Sequence, residues 1–476
     1  MPDALLRIIH RRASRTPYQL SHRPALRILF TTHQFFPESR AGVEIVTLGL
    51  ARELKAGGHE PFVLAAKRTV PHSDLLPGET EDYEHEGVPV RRIGRPEEGL
   101  TRPYELNYRN DVMAAKTREY LREVAPDIVH IMHLQGLSAS VLPVCEELGL
   151  PTVFTATDFW TVCPVVDLRR HDGVMCEGPD VSHCVRCIAS RSTDPRLQKA
   201  ARLVPGAVTG AADLASRTPL SRFSFPLRQI GAVGERPAYI RDRMGSVDRI
   251  LAYTHLTRDL LLANGIGRGK IRVSSYGIDT SHVAHVPAER RPSATLRVGF
   301  VGTLAPHKGP DVLVRAFATL PPEMEATLSL HGSSVGYETY AAGLRTLAGN
   351  DPRISFPGPF SRGELAGVLA NLDVLVVPSL WYENAPGVIF EAFAAGMPVI
   401  ATDLGGMSEF VKPGENGLLF ALGDAKDLAE QLGILIEDRS LLGRLRAGIK
   451  PVKTVGEYAG ELIELYGTLA GGPERK

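Results

Sequence analysis

Leu296-Arg297-Val298-Gly299-Phe300-Val301 runs into a loop carrying Pro306 and Gly309, and a helical pattern follows. Leu26-Arg27-Ile28-Leu29-Phe30 does the same 270 residues earlier, with Pro37 and Gly42 in its loop. A short apolar run that ends in a glycine-bearing loop and a helix is the opening of a doubly wound α/β domain, where helices cover both faces of the sheet. Two such openings predict an α/β chain of two Rossmann-like domains.

The flanking sequence keeps the pattern. The helix after Gly42 stops at Gly57-Gly58, a C-terminal signal. Pro61–Ala65, Asp127–Ile131 and Thr152–Thr155 read as further buried strands. Downstream, Ser361 and Glu364 form a capping box, Val374–Val377 and Val399–Ala401 are strands, and Pro386 and Gly396 bracket a helix. The predicted domains are 25–280 and 294–454, with a linker near Ser281–Ser293 and a closing helix in 455–476.

Two segments depart from this order. Residues 1–24 form a basic arm, with five Arg and one Asp among the first 23; such an arm suits either water or an anionic membrane. Residues 186–243 hold eleven Lys or Arg against four Asp or Glu, and five prolines. They read as the irregular part of a Cys-rich, basic insertion spanning about 160–245 in the first domain.

Composition limits the function. The chain has 476 residues, 43% hydrophobic and 23% charged, with 54 basic and 54 acidic side chains. That is ordinary globular usage. Zero net charge argues against a nucleic-acid partner. No apolar run is long enough to span a membrane, and no secretory leader is evident, so a cytoplasmic protein is expected.

The stretch Trp381-Tyr382-Glu383-Asn384-Ala385-Pro386-Gly387-Val388-Ile389-Phe390-Glu391 carries the most chemistry. Glu383 closes a strand-to-helix loop, and Glu391 lies on the helix behind it. The loop offers backbone amides at a helix N-terminus, where the dipole favours anions. Carboxylates accept hydrogen bonds from sugar hydroxyls, and amides suit a phosphate.

This stretch resembles the Glu-x7-Glu signature of retaining glycosyltransferases of the GT-B fold, family 4 in particular. Phe36–Gly42, Gly302–Gly309, Tyr276–Asp279, Gly405-Gly406 with Glu409, and Gly414–Leu419 resemble that family's other motifs. The resemblance implies two Rossmann-like domains facing a cleft, a nucleotide diphosphate sugar as donor, and a saccharide, lipid-linked or other small acceptor. It implies no cofactor for the chemistry. By position, Glu391 would hold the nucleotide ribose, and Glu383 the donor sugar. Asn384, Ala385, Pro386 and Gly387 would line the pocket, Lys308 would meet the diphosphate, and Gly42 would let the phosphates approach. Two positions depart from the family. Thr303 stands where an Arg is usual, and Thr157 where many members have a His. Asp158 beside it is then the candidate for the proton role. His130 and His133 are read as structural.

Cys163, Cys176, Cys184 and Cys187 fall within 25 residues. Four thiolates suit a tetrahedral structural zinc; four unrelated thiols or an iron–sulfur cluster are the other readings. Cys145 is expected in the core. Asp158–Pro164 with this cluster resembles a subgroup of the same family. No Asp-x-Asp pair, P-loop or Gly-x-Gly-x-x-Gly occurs, which weakens GT-A, ATPase and dehydrogenase readings. The alternatives kept are a non-catalytic scaffold that holds a nucleotide sugar, and a nucleotide sugar epimerase. The arm and the basic insertion raise the prospect of peripheral contact with the inner membrane face.

Overall fold

Strands β1 (Arg27–Thr32), β2 (Glu60–Arg68), β3 (Thr80–His85), β4 (Val88–Arg95), β5 (Ile128–Ile131), β6 (Thr152–Ala156), β7 (Arg249–Ala252) and β8 (Ile271–Val273) form the first sheet. Its order is β3-β4-β2-β1-β5-β6-β7-β8, parallel except for the β3–β4 pair. The second sheet holds β9 (Leu296–Val301), β10 (Ala326–His331), β11 (Ile354–Gly358), β12 (Val374–Val377), β13 (Val399–Thr402) and β14 (Gly417–Phe420). Its order, β11-β10-β9-β12-β13-β14, is wholly parallel. This is the Rossmann order, with the switch point between β9 and β12. The first sheet switches between β1 and β5. The computed structural model describes residues 24–68, 75–95, 100–283, 286 and 293–471. The expected basic arm lies almost wholly outside these residues, as do most of the linker and the last five residues.

The strands form because their residues can be covered on both faces. Ile28, Leu29 and Phe30 are fully buried, as are Val374 and Leu375. The closing helix spans Val455–Ala470, and Thr454 and Glu457 form its capping box. It returns to the first domain. Tyr458, Leu462 and Tyr466 join Ile28, Phe30, Leu50 and Leu54 in one apolar cluster, and Tyr466 Oη bonds His130 Nδ1. His130 is thus the structural histidine its sequence context suggests, with Thr155 Oγ1 on its other nitrogen at 2.6 Å. Cys145 is fully buried in the other first-domain cluster.

The basic insertion is not irregular. It folds as helices Val181–Ser190, Pro195–Leu203, Gly206–Ser216 and Phe225–Met244, with a 3-10 segment at Pro219–Phe223. Its prolines do not break the helices: Pro195, Pro219 and Pro226 sit in first turns, and Pro205 is an N-cap. There the missing N–H costs nothing. Pro237 is the one inside a helix.

Candidate functional site

Both switch points carry polar clusters, and the fold brings them together. In the second domain, β9 ends at Val301 and the chain turns through a 3-10 segment, Pro306–Lys308. Gly309 follows at φ +66°, and a Cβ there would lie 2.0 Å from Pro378 O. Only glycine lets this loop approach the end of β12 so closely. Leu380 N–H donates to His307 O at 2.8 Å and ties the loops together.

The approach delivers Lys308 to Glu383. Glu383 Oε1 accepts three hydrogen bonds, from Lys308 Nζ at 2.7 Å, from Trp381 Nε1 at 2.8 Å and from Ser379 Oγ at 2.9 Å. Glu383 is buried, and burial alone would raise its pKa. The Lys308 charge and the hydrogen bonds outweigh this and hold the carboxyl below its ordinary range. Lys308 Nζ also lies 5.3 Å from the Trp381 ring centroid. The carboxylate is therefore fixed, ionised and water-poor, and the ammonium remains partly exposed to meet an anion.

Glu391 lies on the helix Gly387–Ala394. Its Oε1 is 3.5 Å from His282 Nε2 and 3.6 Å from Arg362 Nη1. His282 and Arg362 were not singled out from sequence; each is distant in sequence from the acid it approaches. Gly387 lies against Tyr276, whose hydroxyl donates to Ala385 O at 3.1 Å. Pro386 is the N-cap of the Glu391 helix. Thr303 is exposed just past β9, and Gly42 is exposed at the start of the helix Gly42–Ala56. A Cβ on Gly42 would meet nothing within 4 Å, so close packing does not demand glycine there.

Asn384 faces the other domain. Its Nδ2 donates to Ala156 O at 2.8 Å and Thr157 O at 3.1 Å. Its Oδ1 accepts from Thr257 Oγ1 at 2.6 Å and Thr254 Oγ1 at 3.1 Å. The side chain expected to line a donor pocket is instead spent on a seam between domains. Glu409 adds to the seam: its carboxylate accepts from His255 N and Leu256 N, both at 2.8 Å. A second-domain acid thus satisfies the N-terminal amides of the helix His255–Ala263.

This seam sets Glu383 beside the end of β6, where Asp158 lies. Asp158 Oδ2 is 2.6 Å from His133 Nε2, and Oδ1 accepts from Trp160 N at 2.8 Å. Burial would raise the Asp158 pKa, but the His133 charge and hydrogen bonds bring it below the ordinary value. His133 Nδ1 accepts from Gln135 N at 2.9 Å, which leaves Nε2 as the donor to Asp158. His133 is buried with both ring nitrogens partnered, and one of the partners is Asp158. His33, 4.5 Å away ring to ring, and Glu44 complete the group. Burial first, then His133, pushes His33 down to about 3. Burial raises Glu44. Thr157, in the place of a usual His, donates its hydroxyl to Met132 O at 2.9 Å, a backbone tie.

The cysteines carry free thiols. Cys163, Cys184 and Cys187 are buried. Burial raises Cys184 to about 12, and the charges of Cys163, Cys187 and Cys176 add to that. Burial raises Cys187 to about 11, with Cys163 and Cys176 among the causes. The four side chains therefore feel one another. Among the described residues, no three His, Cys, Asp or Glu side chains stand in an arrangement ready to hold a metal.

Two family models match this chain. Residues 41–277 match the "Glycosyl transferase 4-like domain", and residues 295–438 match "Glycosyl transferases group 1". Together they cover most of the sequence. The chain belongs to glycosyltransferase family 4.

Among curated relatives of this family member, D-inositol 3-phosphate glycosyltransferase of Nocardia farcinica is 32% identical over 274 residues. That match covers 50% of this chain and 60% of the relative. The Nocardioides protein of the same name is 32% identical over 224 residues, covering 40% and 48%. The chain thus spans about half the length of these relatives. Among solved structures, Anabaena HepE in complex with UDP matches with a TM-score of 0.61 at 16% identity, over 93% of this chain and 100% of HepE. Sucrose-phosphate synthase from Thermosynechococcus elongatus gives 0.62 at 18%, over 94% and 99%. These likenesses establish the GT-B fold. No helix among the described residues is long and apolar enough to cross a membrane.

Proposed function

We propose that this chain moves a glycosyl group from a nucleotide diphosphate sugar to a hydroxyl of a saccharide, lipid-linked or other small acceptor, with retention. The observation that carries the reading is the Lys308–Glu383 pair, held at the second-domain switch point, while Asn384 beside it bonds the carbonyls of Ala156 and Thr157 in the segment that leads to Asp158. Lys308 and the loop amides before the Glu391 helix stabilise charge on the departing diphosphate. Glu391 accepts from the ribose, and Glu383 positions the donor sugar. Asp158, kept ionised, accepts a hydrogen bond from the attacking hydroxyl. The cleft excludes water that would otherwise hydrolyse the donor.

The first test is thermal stabilisation by UDP, GDP, ADP, dTDP and CMP. UDP leads because HepE was solved with it. A ligand at about a hundred times its Kd stabilises by roughly 2.7 kcal/mol. A responding base then selects the donor for transfer assays, with D-inositol 3-phosphate among the acceptors because the relatives bear its name. Silence across the panel on folded protein would reject this reading, and nucleotide binding without hydrolysis or transfer from any nucleotide sugar would favour a non-catalytic scaffold. Sugar products would separate transfer from epimerisation.

We also propose that Cys163, Cys176, Cys184 and Cys187 take up one structural zinc ion. A bound cation would favour the thiolates that burial and mutual charge now disfavour. Metal analysis of purified protein checks this; well under about half an equivalent per chain would remove the proposal.

A further inference from the structure

The helical insertion has an unusual outer surface. Five of the fifteen large hydrophobic side chains exposed among the described residues lie in it: Leu203 (67% exposed), Val208 (55%), Leu214 (69%), Phe223 (76%) and Phe225 (39%). Val208, Leu214, Phe223 and Phe225 sit on three elements that pack on one another, and Leu203 ends the helix just before them in the chain. The helix Gly206–Ser216 is turned inside out. Its buried residues are Thr209 and Ser216, and their hydroxyls bond the helix's own backbone. Its exposed residues are Ala207, Val208, Gly210, Ala211 and Leu214. A helix in water normally presents the reverse. A contiguous apolar face of this kind marks an interaction site.

The charge around that face says what covers it. Residues 195–228 contain six Lys or Arg and one acid, Asp213. Asp213 is ion-paired with Arg217 at 2.7 Å. Among the described residues, Arg196, Lys199, Arg202, Arg222 and Arg228 have no ion-pair partner. The Arg222 guanidinium lies 4.7 Å from the Phe223 ring centroid, and that of Arg228 5.7 Å from Phe225. Apolar anchors ringed by unpaired arginines match an anionic bilayer, where aliphatic and aromatic groups enter the acyl boundary and cations meet phosphates.

We propose that the outer face of the Gly206–Ser216 helix, with Leu203 and Phe223 beside it, docks this protein on anionic phospholipid membranes. The placement also suits the site. Arg236, on the helix Phe225–Met244 that supports the patch, bonds the carbonyl of Trp160, and the amide of Trp160 bonds Asp158. Docking would hold the acceptor side of the cleft near the lipid surface. The binding claim itself does not depend on catalysis.

The test is sedimentation of the full chain with vesicles of phosphatidylcholine alone, and of phosphatidylcholine with phosphatidylglycerol. The protein should pellet only with the anionic vesicles, and less as salt rises. L214D/F223D should lower partitioning at least about tenfold with unchanged Tm, since both side chains are mostly exposed. If that variant loses Tm, V208D on the same face serves instead. R222S/R228S should weaken binding and flatten its salt dependence. No pelleting with anionic vesicles overturns the proposal. So does pelleting that L214D/F223D leaves intact, which would assign binding to another surface such as residues 1–23. A wild-type dimer that L214D/F223D dissociates, without vesicle binding, would assign the face to a second copy instead.

Discussion

Lys308 and Glu383 sit where β9 and β12 diverge, while His33, Glu44, His133 and Asp158 sit where β1, β5 and β6 end. Both sheets reverse their strand order beside the first strand, and in both a glycine-bearing loop follows that strand. The chemistry differs. In the second domain a buried acid is matched by a cation that keeps one face open. In the first, two acids and two imidazoles share a group, and burial shifts His33 and Glu44 toward their neutral forms. The fold fixes where a site forms, and loop residues decide whether it offers fixed charge or exchangeable protons.

The comparison can be broken most sharply at Lys308. K308A should lower kcat by about 10²–10³, the usual cost of removing an electrostatic stabiliser, and leave Glu383 buried without its counterion. A change under about tenfold would place the charge that matters elsewhere. E391A should raise KM for the donor by roughly tenfold to a hundredfold, the worth of a charge-assisted hydrogen bond of ~1.5–3 kcal/mol, with kcat less affected. Equal loss in kcat would move Glu391 from donor binding to the reaction itself.

Asn384 sharpens the contrast from the side of stability. N384A strips four hydrogen bonds from the domain seam. It should cost ~1–3 kcal/mol, measured by denaturant titration. If catalysis falls with no change in stability, the side chain has a role toward substrate after all.

The smallest effect concerns protons in the first domain. His33 is held at about 3, below its ordinary 6.5. The unfolded chain therefore binds more protons than the folded one between these values, and stability falls as pH drops through that window. H33Q should flatten this slope by at most ~1.4 kcal/mol per pH unit. His130, also pushed down to about 3 by burial, keeps part of the slope in the variant. An unchanged profile would mean that His33 is already solvated.

Sequence made the shared parts visible and hid the parts that depend on long-range meeting. Both β–loop–α openings were legible because each is local, and so were Lys308 and Glu383, each punctuated by glycine or proline. The use of Asn384 was not. Its partners lie 127 to 228 residues away, and an amide in a loop carries no sign of which surface it meets. Asp158 was found as the neighbour of a missing histidine, but its bond to His133 spans 25 residues and two strands. Glu44 falls in the first turn of a helix, where an acid ordinarily caps in water; here it caps and is also buried. The insertion misled because proline signals a break only inside a helix, and three of its prolines lie in first turns.

The return of the helix Val455–Ala470 to the first domain has a consequence for synthesis. The second sheet is built from one unbroken stretch, Leu296–Phe420, and its strands can pair as soon as that stretch leaves the ribosome. The first domain begins at Arg27, yet part of its apolar cluster is supplied by Tyr458, Leu462 and Tyr466. Its earlier residues must wait, partly uncovered, while the rest of the chain is made. Domains usually mature in the order in which they are translated; here the one that is started first is the one that is finished last.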